Sequence, residues 1–536
     1  MMKKVIKKLL AALLAVAMVC AMAIPAFAGT EGDITTWHSF SAFQIFKGDV
    51  EGNDIKDFKI SNVTWGSNIA DNPAAFLDQL KADSTLGTQF QFIDATDANT
   101  AQKVLEVISK WDDSDANSIA FARFVCHYLY PDANAKPKPA VEGGGGSDHI
   151  HFDEAGYYLV VDTTLFNPGD FDHAYNSFLL MVTHKNWNVP ITPKAEKPSV
   201  KKEVFDNFDN QDGTSTGVFG SSADHAINEK FQFKLTATLP ASTDHAYDYY
   251  DTYAVCFKDT LSEGITYDKL DSVVINSNGH TYDITNDTSK YTITESQNSF
   301  VVKIPDVKTC AEGLDLNDGA TITVTYTAHL NDKAYVNTGS GSTENKNSVQ
   351  LQYSNNPRPG EYWGTTPKSE VYVFTYQLNN TKLAENEHGA PLKDVGFCLY
   401  SDEACAHKVE LYKEGDFYFP IKDATDKKAV EEMYSDKDGK FNIKGLDAGT
   451  YYLKETITPA GYDTCGVTPV TIKADHSGND HVNLEGSNLT IVNKKAGGIT
   501  LPSTGGIGTT IFYVVGGGLM VAAIVLLVTK KRMENK

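Results

Sequence analysis

Short runs in which apolar and polar residues alternate fill most of the chain. They include 231–239, 320–328 and 348–353, where Val, Ile, Thr, Tyr and Phe dominate and Gly, Asn and Asp mark the turns between runs. A period of two puts every second side chain on one face, so each run predicts a half-buried strand. Many such strands at regular spacing predict β-sandwiches of immunoglobulin-like type. A period near that of a helix appears mainly in the first third, at 72–86, 101–111 and 118–130, and predicts helices there.

Two longer apolar stretches break the alternation. The first, 9–24, follows Lys3, Lys4, Lys7 and Lys8 and precedes Ala26-Phe27-Ala28. That order is a secretory signal with a small-x-small cleavage site, so the mature chain is expected to begin near Gly29. The second, 507–528, is long enough to cross a ~30 Å hydrocarbon core at ~1.5 Å per helical residue. It ends at Lys530, Lys531 and Arg532, a cationic stop expected to stay in the cytoplasm.

Proline-rich joints divide what lies between. One runs through 189–198; another spans 355–367, with Pro357, Pro359 and Pro367. The expected organisation is a signal peptide at 1–28, an N-terminal domain at 29–190, a linker at 191–198, a middle domain at 199–365, a third domain at 366–497 and a tail at 498–536. Proline joints are stiffer than Gly/Ser linkers, which favours an elongated rod over a closed, clefted body.

Charge and composition narrow the function by exclusion. The net charge is −22, and processing at both ends would leave 39 cations against 68 acids, a net −29. Such a chain does not bind nucleic acid through phosphates. Six cysteines remain after the signal is removed, none at zinc-ligand spacing. They read as scattered buried thiols; a Cys256–Cys310 or Cys398–Cys405 disulfide is left open. His149 and His151 form an H-x-H without further ligands, which reads as a surface strand rather than a metal site. The acidic stretch 206–213 places Phe208 where a calcium loop needs its first ligand. No catalytic motif is present. No metal, no cofactor and no enzymatic activity are expected.

Specific motifs supply the rest. Leu501-Pro502-Ser503-Thr504-Gly505 stands just before the second apolar stretch. This order resembles the LPxTG sorting signal of Gram-positive cell-wall proteins. The segment 435–446 followed by 448–462, which contains Gly449-Thr450-Tyr451-Tyr452-Leu453-Lys454-Glu455-Thr456, resembles the E-box strand of collagen-adhesin B-type (Cna B) domains. The stretches 257–264 and 344–357 resemble the middle domain of sortase-assembled pilins. Trp187-Asn188-Val189-Pro190-Ile191-Thr192-Pro193-Lys194 resembles the pilin motif. The chain as a whole resembles the backbone (shaft) subunit of a sortase-assembled Gram-positive pilus. The fold this implies is mainly β, with tandem Cna-type sandwiches and some helix in the N-terminal domain.

Two kinds of covalent chemistry follow from that resemblance. Between subunits, a pilus sortase would cut after Thr504 and pass its carbonyl to Lys194 of the next copy; Lys197, Lys136 and Lys138 compete locally. Within domains, Lys–Asn isopeptide bonds promoted by a buried acid would lock each sandwich. All three residues of such a triad must face inward, and strand parity selects among candidates. In the third domain Lys382 shares a face with Tyr376 and Leu378, Glu455 with Tyr451 and Leu453, and Asn493 with Leu489 and Ile491; Lys393 is the fallback. In the middle domain Lys202 shares a face with Val200 and Val204, unlike Lys201. Asn347 lines up with Val349 and Leu351, with Asn345 on the same face nearer the strand's start. Asp259 follows Val255 and Phe257, where an acid without a partner would be costly. Burial is expected to raise each acid and lower each lysine. The N-terminal domain offers no triad.

The implied partners are the pilus and housekeeping sortases, other copies of this chain, minor or tip pilins, peptidoglycan and, through tip subunits, a host ligand. The alternatives are a monomeric wall-anchored adhesin and a minor or basal pilin.

Overall fold

The computed structural model describes residues 39–497 apart from 52–58, 112–114, 133, 143–148, 164–176, 183–186, 191–196, 210–214, 244, 359–362 and 477–479. The signal segment, Lys194 and the sorting tail with Thr504 lie outside the described residues. Among those described, no helix is long and apolar enough to cross a membrane.

In the first body the strands Lys59–Trp65, Phe40–Glu51, Gly156–Asp162 and Ser177–Val182 lie side by side in that order. Helices Pro73–Ala82, Thr100–Ile108 and Ala116–Leu129 pack on them, where sequence periodicity predicts helices. The first helix starts at Pro73, whose missing N–H costs nothing there, and Asn72 caps it by accepting from Ala75 N at 3.2 Å. His149–Phe152 pairs with Trp187–Pro190. Ile150 and Phe152 are buried, while His151 is exposed beside Asp153, so the H-x-H lies on a surface strand.

The middle body is a sandwich. One sheet runs His280–Asp283, Ile265–Ser277, Ala320–Leu330, Lys230–Leu239, Ser199–Asp209, Ser215–Gly220. The facing sheet runs Ser222–Asp224, Ser369–Phe374, Lys346–Ser354, Val255–Leu261, Ser299–Ile304, Thr292–Ser296, with Trp363–Thr365 also on Lys346–Ser354. Alternation is strict where one face is buried and the other open: in Lys230–Leu239, Phe231, Phe233, Leu235, Ala237 and Leu239 all enter the core. Strand pairing runs past the expected boundary at 365, because Ser369–Phe374 completes the middle sheet. Val371 and Val373 enter the middle core and Phe374 enters the next.

The third body packs a sheet of Leu411–Glu414, Phe417–Pro420, Ile443–Leu446, Tyr376–Ala384 and Asn488–Asn493 against one that includes Gly396–Tyr400, Gly449–Ile457, Thr468–Asp475 and His481–Glu485. Its first and last strands, Tyr376–Ala384 and Asn488–Asn493, are parallel neighbours in register, with Lys382 opposite Ile491 and Ala384 opposite Asn493. All six described cysteines carry free thiols, four of them buried, so neither candidate disulfide is formed.

Candidate functional site

Two buried lysine–acid–asparagine clusters sit in the middle and third cores. In the third domain, Lys382 extends from the first strand, Asn493 from the last strand beside it, and Glu455 from the facing sheet. None is more than 4% exposed. Lys382 Nζ donates to Asn493 Oδ1 at 2.5 Å and to Glu455 Oε2 at 3.1 Å, and Asn493 Nδ2 donates to Glu455 Oε1 at 2.7 Å. The amine thus touches the amide it would attack, while the acid grips both partners.

A turn positions the lysine. Asp436 accepts from the N–H groups of Asp438 and Lys440, and Gly439 takes φ +73°, a left-handed value that favours glycine. Gly439's carbonyl accepts from Lys382 N at 2.8 Å, and a Cβ on that glycine would stand 2.4 Å from the Lys382 carbonyl oxygen.

In the middle domain Lys202 comes from one sheet, and Asp259 and Asn347 come from adjacent strands of the other. Lys202 is 2% exposed, although it is a lysine in a core of Phe and Tyr. It donates to Asp259 Oδ2 and, at 2.9 Å, to the Tyr326 hydroxyl. Tyr326 in turn accepts from Asn347 Nδ2 at 2.5 Å and donates to Asp259 Oδ1 at 3.2 Å, so it links all three. Asn347 Oδ1 is buried without a hydrogen bond. The rings of Phe233 and Tyr326 lie 5.0 and 5.1 Å from the ammonium.

The electrostatics of the two clusters differ. In the middle domain burial pushes Lys202 down to about 8, against the opposing pull of Asp259, and burial raises Asp259 above its ordinary value. These are the directions expected from sequence. At Glu455 the expectation fails. Burial pushes that carboxyl up, but hydrogen bonds from Cys465, Asn493 and Thr458 and the charge of Lys382 outweigh it, and the group sits below an ordinary glutamate. Cys465, whose N–H donates to Glu455 Oε2 at 3.2 Å and whose thiol lies 3.5 Å from Lys382 Nζ, is the neighbour sequence reasoning missed.

The competing residues stand elsewhere. Lys201 is exposed and pairs with Glu203 at 2.8 Å. Lys393 is exposed beside Asp394. Asn345 is buried, yet both ends of its amide are taken by the backbone of Tyr335 at 2.8 Å, so it holds a loop. Tyr326 was also missed; its one signal was its inward parity in the run 320–328.

Comparison with known proteins gives the class first. Residues 377–494 match the family model of the SpaA prealbumin-like fold domain, and residues 493–535 match the LPXTG cell-wall anchor motif. The chain is therefore a mainly β, multi-domain surface protein anchored in the Gram-positive manner to the cell wall. Among particular relatives, it is 24% identical over 278 residues to the trypsin-resistant surface T6 protein of Streptococcus pyogenes serotype M6, a stretch covering 50% of this chain and 44% of that protein. Among solved structures, the T6 backbone pilin of the same serotype aligns over 87% of this chain and 97% of its own, at 16% identity and a TM-score of 0.46. The group B streptococcus pilus 2b backbone protein aligns over 52% of this chain and 97% of its own, at 23% identity and a TM-score of 0.38.

Proposed function

We propose that this chain is the backbone subunit of a covalently polymerised pilus, with its middle and third domains each locked by a Lys–Asn isopeptide bond. One observation carries the reading: two successive sandwiches each bury a lysine, a carboxylic acid and an asparagine in one cluster, in direct contact in the third domain and linked through Tyr326 in the middle one, ahead of a wall-anchor signal. A lone buried lysine–acid pair adds little stability, because desolvation offsets its attraction. An asparagine brought to both groups gives the cluster a reaction instead.

In that reaction the neutral Lys382 Nζ adds to the Asn493 side-chain carbonyl carbon. Glu455, carrying the pair's single proton, gives it to the carbonyl oxygen, takes the proton the attacking nitrogen gives up and passes it to the departing nitrogen. The carbon–Nδ2 bond breaks, ammonia leaves, and the proton on the carbonyl oxygen returns to Glu455. Lys202 and Asn347 react in the same way with Asp259 as the acid, and Tyr326 orients the amide. The products are uncharged, which removes the cost of burying the lysine–acid pair. Between copies, a pilus sortase would cleave after Thr504 and hold it as a thioester, and Lys194 of the next copy would resolve it. A housekeeping sortase would attach the finished fibre to peptidoglycan, with minor or tip pilins at its far end.

The test is polymer formation on cells. Lys194→Ala and Thr504→Ala should each collapse an SDS-resistant ladder to monomer. A ladder that survives both variants would contradict the reading, and a wild-type chain that runs only as monomer would favour a wall-anchored adhesin.

A further inference from the structure

A second polar cluster lies where the middle domain meets the third. Asp206 lies on the inward face of Ser199–Asp209, Asp224 closes Ser222–Asp224, and His476 follows Thr468–Asp475 of the third domain. One ligand atom from each of the three lies within 4.8 Å of the others. His476 Nε2 stands 3.7 Å from Asp206 Oδ2 and 3.8 Å from Asp224 Oδ1, too far for hydrogen bonds.

The imidazole is already oriented. Ser222 Oγ donates to the His476 carbonyl at 3.0 Å, which leaves its lone pair to accept from Nδ1–H at 2.7 Å. The proton is thereby held on Nδ1, and Nε2 faces the two carboxylates. Fixing one ring nitrogen so that the other can bind a metal is what outer partners do in metal sites. Asp224 is 6% exposed and its Oδ2 has no hydrogen bond; the Tyr376 hydroxyl, also at the junction, is buried and has none. Glu229 and Asp447 also flank the junction, together with His225 and Lys422.

We propose that Asp206, Asp224 and His476 bind one divalent transition-metal cation, Zn2+ by ligand type, that ties the middle domain to the third. One imidazole and two carboxylates suit that ion, and ligands bonded at ~2.0–2.1 Å in a tetrahedron stand ~3.3 Å apart. Drawing the three ligand atoms together from their present separations would seat it. Because His476 belongs to the third domain and both aspartates to the middle one, the ion fixes their junction where neither isopeptide bond reaches.

The intact chain, stripped with chelator, is titrated with ZnCl2 by calorimetry. Saturable binding of one ion per chain is expected, with Asp224→Asn and His476→Ala each weakening it tenfold or more and Ser222→Ala weakening it less. Loss of ammonia at both crosslinks, read on the same samples, shows that each variant has folded and is independent of the metal readout. Absent saturable binding, binding unchanged in Asp224→Asn and His476→Ala, or binding removed only by His225→Ala in the neighbouring cluster would each overturn the assignment.

Discussion

At the scale of the residue, the account turns on protons. Lys202 and Asp259 work as one unit: the pair carrying a single proton can place it on the acid and leave the amine neutral. Burial brings Lys202 down to about 8 and raises Asp259, so above a pH of about 8 the pair loses that proton. Middle-domain crosslinking, followed by mass spectrometry as the chain folds, is expected to slow as pH rises past about 8; a rate that keeps climbing would show that the acid is dispensable. Tyr326→Phe removes the hydroxyl that holds Asn347 and should cost about 1–3 kcal/mol through the groups left unpaired. It should slow middle-domain bond formation while leaving the third-domain bond untouched. Once the resemblance implied such a triad, parity pointed to its members: Lys202, Asp259 and Asn347 fall on inward positions of their strands and are buried. Tyr326 was not, because a tyrosine on an apolar face looks like core until its hydroxyl is seen among three polar partners. The low position of Glu455 was hidden for a related reason, since it depends on Cys465, which chain folding brings to it across ten positions.

At the scale of the element, strands choose the partners. Lys201 and Lys202 are adjacent but face opposite ways, so Lys202→Ala should abolish the middle bond although Lys201 remains; a bond re-formed through Lys201, seen in a tryptic peptide, would contradict the facing assignment. The turn at Gly439 is a second element-level constraint. Gly439→Ala puts a Cβ into the Lys382 carbonyl at a left-handed φ and should cost about 1–2 kcal/mol, slowing third-domain crosslinking. The strands and helices themselves were readable because each pattern has one period. Less readable was the ownership of Ser369–Phe374: its alternation says strand but not which sheet, and pairing with Lys346–Ser354 decides that it closes the middle sandwich.

At the scale of the whole molecule, the proposed crosslinks would tie together strands far apart in sequence. Lys382 and Asn493 are 111 positions apart, and closing a loop of that order removes about 4–5 kcal/mol of chain entropy from the unfolded state. Asn493→Ala should therefore lower the third domain's melting temperature by roughly 10 °C or more while the middle domain keeps its own transition. The junction cluster of Asp206, Asp224 and His476 belongs to this scale and was invisible in the sequence, because its ligands come from segments some 250 positions apart. The most direct measurement of the central claim is tandem mass spectrometry of tryptic peptides from cell-wall polymers. The account predicts three branched peptides, joining Lys202 to Asn347, Lys382 to Asn493, and Thr504 of one copy to Lys194 of the next, each intramolecular pair lighter by one ammonia. Linear peptides carrying free Lys202, Lys382 and Lys194 in place of all three would contradict it.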